Sequence, residues 1–153
     1  MILAEELPER IKHLVYLAAV VPRNNEALID LLTKDRHETL TKLHGKVKEV
    51  FGTLEQLRPM YFTDLEGDEK DFYLKQLTPQ PLAVFFEKIH FKQFPKITIP
   101  KTYILGLKDK SLPPELTRRF AERLGVEPVE IDAGHDLMVS RPGEVAKVLL
   151  GLA

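Results

Sequence analysis

The sequence contains no cysteine and no tryptophan, and neither sign of charge dominates it. Without cysteine there is no disulfide, no thiolate metal site and no cysteine nucleophile, and a reducing cytoplasm is the expected location. The 22 basic and 23 acidic side chains give a formal net charge of −1, so nucleic acid and membrane surfaces are not expected partners. No apolar run approaches the ~18 residues of a membrane span.

Short apolar runs separated by amphipathic segments are present instead. A run that is apolar on both faces and rich in valine is typical of a buried parallel strand. Three runs are of this kind: residues 13–21, 102–107 and 126–131. Strands that alternate with helices predict an α/β fold with a parallel sheet. Three strands are few for such a sheet, so either another chain completes it or part of the fold is absent.

Helices are predicted around these strands from periodicity and from their start and stop residues. One covers residues 1–7, and another begins near Pro113 and stops at Gly125. The last is expected to follow Ser140 as its N-cap. Its predicted buried residues are Val145, Val148, Leu149 and Leu152.

The middle of the chain has a different pattern. Helical stretches are predicted at about 25–34, 53–63 and 68–77, and residues 40–51 fit either a helix or a hairpin that turns at His44–Gly45. Residues 78–81 must be extended, because each proline restricts the residue before it. The expected organisation is therefore a helical cap insertion, residues 23–95, within a core made of residues 1–22 and 96–153.

Two titratable residues follow predicted strands of the core. Ligands of open parallel sheets bind at the carboxyl ends of the strands, and Asp109 and His135 both lie in loops that leave such ends. A carboxylate that pairs with an imidazole orients it and stabilises the imidazolium, as in a nucleophilic triad. The residues alone also permit a simpler interpretation, in which Asp109 caps a turn and His135 packs beside a glycine.

The loops that carry these two residues resemble the acid and histidine loops of α/β-hydrolases. The segments are Tyr103–Pro114 and Asp132–Ala146, the second with a Gly-His pair and a Ser-x-Pro-x-Glu-Val-Ala continuation. The acid precedes the histidine, which is the chain order of that superfamily. Residues 7–17 and 77–83 further resemble segments of small methylesterases, salicylate-ester hydrolases and hydroxynitrile lyases.

The resemblance covers the C-terminal half of these proteins. It implies a truncated α/β-hydrolase fold, with a three-stranded parallel sheet, flanking helices and a helical cap insertion. It also implies hydrolysis of a small carboxylic ester, with Asp109 as the orienting acid and His135 as the general base. The plant hydroxynitrile lyases have a lysine directly after the histidine, whereas this chain has Asp136, which favours ester hydrolysis.

The nucleophile elbow of the superfamily, G-x-S-x-G, does not occur in these 153 residues. The two serines, Ser111 and Ser140, are interpreted as a turn residue and a helix cap. The chain alone is therefore expected to be nearly inert, because the covalent step requires a nucleophile. Three explanations remain: a broken gene, a split hydrolase completed by a companion chain, or a non-enzymatic binding module.

Other candidates are weaker. The remaining histidines, His13, His37, His44 and His90, lack ligand spacing, so no metal or other cofactor is expected. Residues 60–62 and the pair Phe85–Phe86 could line an acyl pocket or belong to the core. A parallel strand with an open edge predicts association, so a homo-oligomer through residues 1–21 is expected.

Overall fold

A computed structural model describes residues 1–50 and 52–152, without the side chain of Pro95. The chain divides into two compact units. The first comprises Met1–Arg10, Val20–Phe51 and Thr78–Thr98. The second comprises Ile11–Ala19, Gly52–Leu77 and Ile99–Ala153.

The described residues form short strands and helices along the whole chain. The strands are β1 (Leu14–Leu17), β2 (Glu26–Ala27), β3 (Glu49–Val50), β4 (Gln80–Pro81), β5 (Lys88–Ile89), β6 (Lys101–Gly106) and β7 (Val129–Ile131). The α-helices are α1 (Ile2–Glu6), α2 (Lys34–Leu43), α3 (Leu54–Leu57), α4 (Gly67–Leu74), α5 (Ala83–Phe86), α6 (Pro114–Leu124), α7 (Leu137–Ser140) and α8 (Pro142–Leu150). Short 3₁₀ helices cover Pro8–Arg10, Leu28–Leu31 and Phe94–Lys96. No helix among these residues has the length and apolar character needed to cross a bilayer.

The second unit is built on a parallel sheet of three strands in the order β1-β6-β7. The middle strand, β6, is buried on both faces of the sheet, as its apolar sequence predicts. Its residues Tyr103, Ile104 and Leu105 have no exposed surface. Phe120 and Ala121 of α6 are equally buried. The predicted α/β architecture with three parallel strands is confirmed.

Two of the three strands are shorter than predicted. β1 stops at Leu17, because Ala18 adopts a positive φ of 42°, although its N–H still donates to Ile104 O at 2.9 Å. β7 begins at Val129, three residues after the predicted start at Val126. The Val126 N–H is bonded to Ala121 O at 3.2 Å, and Pro128 has no N–H to offer a neighbouring strand.

The helix between the last two strands agrees with the sequence prediction. α6 starts at Pro114 and ends before Gly125. Gly125 has a φ of 71°, the left-handed conformation that commonly ends a helix.

The last helix differs from the prediction in its start and its buried face. Ser140 is not its N-cap but the final residue of α7, and Arg141 precedes α8. Val145 is buried, while Val148 and Leu152 are half-buried. The predicted burial of Leu149 is wrong, because 43% of this residue is exposed.

The predicted helix at residues 25–34 is absent. The chain forms β2, which pairs antiparallel with β5, and then a 3₁₀ helix. Asn25 has a φ of 64°, and the Asp30 carboxylate accepts the Ala27 N–H at 3.0 Å. These local features compete with an α-helix, whose hydrogen bonds run to the backbone four residues earlier.

Residues 40–51 contain part of a helix and then a strand. α2 continues to Leu43, the chain turns with Gly45 at a φ of 76°, and β3 pairs antiparallel with β4. Phe51 lies outside the described residues. The extended conformation predicted for residues 78–81 is confirmed where β4 forms.

The other two helices predicted in the cap are present but shorter than predicted. The helix at 53–63 is reduced to α3, which ends at Leu57, and Phe62 has a positive φ of 51°. The helix at 68–77 exists as α4 but ends at Leu74.

The first helix, α1, has most of its apolar side chains at the surface. Ala4 is buried, whereas Ile2 and Leu3 are 51% and 65% exposed. Residues 1–10 belong to the first unit, and residues 52–77 belong to the unit that contains the sheet. The domain boundaries proposed from the sequence, 1–22 with 96–153 and 23–95, stay a prediction.

Candidate functional site

Asp109 lies in the turn that leaves β6 and is buried, with 2% of its surface exposed. Its Oδ1 accepts the backbone N–H groups of Ser111 and Leu112, both at 2.8 Å. The other oxygen, Oδ2, lies 2.7 Å from His135 Nδ1. The carboxylate is therefore held from three directions, and its rotation is fixed.

His135 follows β7, and its loop is bonded to the loop of Asp109 through the backbone. Leu107 N–H donates to Ile131 O and Lys108 N–H donates to Ala133 O, both at 2.8 Å. A Cβ atom on Gly106 would overlap Gly134 O and would lie 2.6 Å from Ala133 O. The close approach of the two loops therefore requires glycine at position 106.

The Asp109–His135 contact assigns the imidazole tautomer. An ionised carboxylate only accepts hydrogen bonds, so the contact favours the tautomer with the proton on Nδ1, in which Nε2 is the proton acceptor. The His135 side chain is 20% exposed, and the ring of Tyr61 approaches it edge-on, with 5.6 Å between centroids. The pairing predicted from the sequence is present, while the catalytic roles of both residues stay a prediction.

Asp136, directly after His135, is a second carboxyl group in this region. Its Oδ2 accepts the Phe62 N–H at 3.2 Å. Burial raises the pKa of the Asp136 carboxyl, and the negative charges of Asp109 and Asp64 raise it further, against the opposing effects of His135 and the Phe62 N–H.

We expect Asp136→Asn to increase the free energy of unfolding at pH 7 relative to the parent. A carboxyl whose pKa is raised by folding destabilises the folded state once the pH exceeds its unfolded pKa, and the amide removes that charge. The gain should shrink as the pH falls below the unfolded pKa of aspartate. Urea titrations at pH 3 and pH 7 measure it, with Asp132→Asn as control, since that side chain is 67% exposed. A larger gain at pH 3 than at pH 7 would contradict the prediction.

Neither serine occupies the position of a nucleophile on a strand-to-helix turn. Ser111 belongs to the turn around Asp109, as interpreted from the sequence, and donates its backbone N–H to that residue. Ser140 ends α7, and its Oγ is buried without a hydrogen-bond partner among the described residues.

The residues predicted to line an acyl pocket fall in separate units. Phe85 and Phe86 pack in the apolar cluster of the first unit, around Ala27 and Leu82. Phe62 packs in the second unit against Leu74. A shared acyl pocket stays a prediction.

Two of the other histidines have side-chain partners of their own. His13 Nε2 lies 2.9 Å from Thr102 Oγ1, and His44 stacks on Phe86 with 3.9 Å between ring centroids. Within the described residues, no three His, Asp or Glu side chains are grouped closely enough to hold a metal ion.

Asp64 is a polar residue of this region that sequence reasoning missed. Its side chain is only 4% exposed, and a Cβ on Gly134 would lie 2.7 Å from its Oδ1. Arg141 Nη1 lies 3.8 Å from its Oδ2. No local pattern marks Asp64, because its neighbours come from residues far along the chain.

A parallel sheet whose strand ends carry a hydrogen-bonded aspartate and histidine, in that chain order, is typical of the α/β-hydrolase fold. No protein-family model matches the sequence. The chain is 27% identical over 158 aligned residues to a carbendazim hydrolyzing esterase from Nocardioides sp. (strain SG-4G). The alignment covers 97% of this chain and 64% of that protein.

Solved structures show the same fold. An extracellular α/β-hydrolase from a Paenibacillus species, which shares structural and functional homology with tobacco salicylic acid binding protein 2, matches with a TM-score of 0.87 and 20% identity. That match covers 98% of this chain and 65% of the other. A methylesterase from Arabidopsis matches with a TM-score of 0.72 and 18% identity, over 97% of this chain and 61% of that one.

The chain therefore has the α/β-hydrolase fold and is similar in sequence to an esterase, as the resemblance of its loops predicted. It spans less than two thirds of the length of these relatives.

Proposed function

We propose that the chain contributes the acid and the base of a serine-type ester hydrolase, with Asp109 orienting and His135 as general base. The observation that carries the proposal is the 2.7 Å contact between Asp109 Oδ2 and His135 Nδ1. It leaves Nε2 free to take a proton, which is the role of histidine in a nucleophilic triad. The similarity to an esterase supports a small carboxylic ester as the substrate class.

The proposed reaction has two displacement steps. A serine hydroxyl attacks the ester carbonyl while its proton moves to His135 Nε2, and the bond to the alcohol oxygen breaks as that oxygen takes the proton. Water then attacks the acyl-enzyme and gives its proton to Nε2, and the serine oxygen leaves and regains a proton. The products are one carboxylic acid and one alcohol per water consumed.

The nucleophile and its oxyanion hole are proposed to come from residues outside the 153 of this sequence, which contains no G-x-S-x-G. The relatives extend beyond the matched region by about a third of their length, which leaves room for these parts. They can be encoded directly upstream or carried by a companion chain.

Sequencing the DNA upstream of the first codon, together with a search for a companion chain, distinguishes the two proposed sources of the nucleophile. An elbow motif in any of the three upstream frames would identify the first source, and affinity capture of a companion chain that contains the motif would identify the second. If neither exists, the proposal fails and a non-enzymatic binding module is favoured. The proposal retains the expected cytoplasmic location, which fractionation of the producing cells tests.

We expect Asp109→Asn to reduce kcat of the completed enzyme by about 10⁴, the loss seen when a triad acid becomes an amide. Asp132→Asn is the matched control, because Asp132 is exposed in the same loop as His135 and pairs with Lys108 at 2.7 Å. Hydrolysis of p-nitrophenyl acetate measures both variants. If the Asp109→Asn enzyme is as active as the control, Asp109 takes no part in catalysis.

A further inference from the structure

The segment Phe62–Asp64, named here the clamp, contacts both loops that carry the proposed acid and base. Phe62 donates its N–H to Asp136 Oδ2 at 3.2 Å. The Thr63 hydroxyl donates to Lys108 O, one residue before Asp109, at 3.3 Å. Phe62 holds a φ of 51°, a conformation unfavourable for a residue with a Cβ atom.

The side chain of Asp64, the third residue of the clamp, is buried beside the backbone of the histidine loop. A Cβ on Gly134 would lie 2.7 Å from both Asp64 Oδ1 and Thr63 Oγ1, so the loop backbone packs directly on the clamp. His135 is the next residue, and any shift of Gly134 moves it.

The surroundings of the Asp64 carboxylate favour its charged form. Burial opposes ionisation, but the Ser140 hydroxyl, the N–H groups of Gly134 and of Asp64 itself, and the Arg141 guanidinium together lower the pKa of the carboxyl. None of these donors reaches either oxygen in a well-aligned hydrogen bond. The donors around this carboxylate therefore come from the histidine loop, through Gly134, and from the residues that follow it, through Ser140 and Arg141.

We propose that Asp64 is a positioning residue, which holds the loop of His135 against the clamp so that Nδ1 stays aligned with Asp109. In this role it acts through Gly134, Ser140 and Arg141 and takes no part in the reaction itself. The inference rests on the proposed function only in naming Asp109 and His135 acid and base. The alignment of the pair can be measured without any turnover.

The test measures the His135 Nδ1–H proton by NMR in ¹⁵N-labelled protein of the full chain. In the parent we expect this proton to be donated to Asp109 Oδ2, 2.7 Å from Nδ1, and to exchange slowly with water. In Asp64→Asn, which keeps the size and removes the charge, we expect it to exchange with water at least about tenfold faster. Asp68→Asn, at an exposed position of α4, should leave the exchange rate unchanged.

A second control separates positioning from general destabilisation. Phe120→Leu removes volume from a fully buried site that is not part of the clamp or the two loops. It should lower the urea midpoint while the Nδ1–H exchange measured under native conditions changes less than in Asp64→Asn. Equal acceleration in both variants would overturn the proposal, as would an unchanged proton in folded Asp64→Asn.

If Asp64→Asn does not fold, Gly134→Ala decides the question from the other side of the contact. The added methyl group must displace the loop from Asp64 Oδ1 and Thr63 Oγ1. The same acceleration of Nδ1–H exchange is expected in this variant, and its absence would refute the role of the clamp. The two proposals can fail separately. If Nδ1–H exchange changes as expected but the completed enzyme does not hydrolyse esters, the positioning role of Asp64 stands and the proposed hydrolysis is refuted.

Discussion

The 153-residue chain by itself should hydrolyse p-nitrophenyl acetate no faster than free imidazole at the same concentration. Removal of the serine from a complete triad costs about 10⁶ in kcat in a serine protease, and loss of one oxyanion-hole donor costs about 10²–10³. The sequence contains neither the elbow nor the segment that is proposed to supply the donors. A stopped-flow assay over a range of ester concentrations measures the rate.

Two serine variants complete this experiment. Ser111→Ala leaves Asp109 in place, because the hydrogen bond to Asp109 comes from the Ser111 backbone, and Ser140→Ala is its matched control. A saturable rate that disappears in Ser111→Ala alone would contradict the prediction and would identify Ser111 as the nucleophile. A slow, unsaturable rate lost in His135→Ala would agree with imidazole acting unaided.

The second large effect concerns association through residues 1–21. Among the described residues, β1 pairs with β6 along one side and with no strand along the other. An apolar strand with an open edge, and without lysine, proline or a bulge, favours pairing with another chain. Val15 in this strand is 38% exposed, and Ile2 and Leu3 of α1 are more exposed still. We propose a homodimer or higher oligomer, most simply with two β1 strands antiparallel across a twofold axis.

Val15→Glu should therefore give insoluble or unfolded protein rather than a stable monomer, because a charge at the pairing edge blocks association and leaves the apolar surface exposed. Leu17→Lys should be more severe, since Leu17 also packs against the buried cluster of the sheet. Leu150→Glu is the control, at a residue that is 77% exposed in α8.

Sedimentation velocity at low micromolar concentration checks the oligomeric state of the parent. A compact, monodisperse species of 17.5 kDa that unfolds cooperatively would show that the chain covers this edge in another way. A parent oligomer that stays unchanged in Val15→Glu would place the interface elsewhere.

The sheet and the acid–histidine pair could be predicted from the sequence because their signals are local. Residues 102–107 are apolar on both faces. Gly125 marks the end of α6 because glycine readily adopts the left-handed conformation. Asp109 and His135 follow strands that the α/β alternation makes parallel, so the same edge carries both.

The short strands β2 and β3 of the middle region could not be assigned from the sequence, because distant residues determine them. β2 exists through its pairing with β5, and β3 through its pairing with β4. A helix was predicted at residues 25–34, yet the Asp30 carboxylate accepts the Ala27 N–H and favours a tighter turn. Asp64 was missed for the same reason, since its carboxylate is significant only beside Gly134.

The backbone contact at Gly106 has a further consequence for how a complete site assembles. The loops of Asp109 and His135 touch through carbonyl groups and bonded N–H groups, in addition to the Lys108–Asp132 side-chain pair. The two residues therefore lose freedom of movement when this unit folds. In the proposed hydrolase, the nucleophile and the oxyanion hole would then be the parts of the site that remain to be ordered. The entropy cost of bringing the three groups of the proposed triad together would be reduced to the cost of placing its nucleophile.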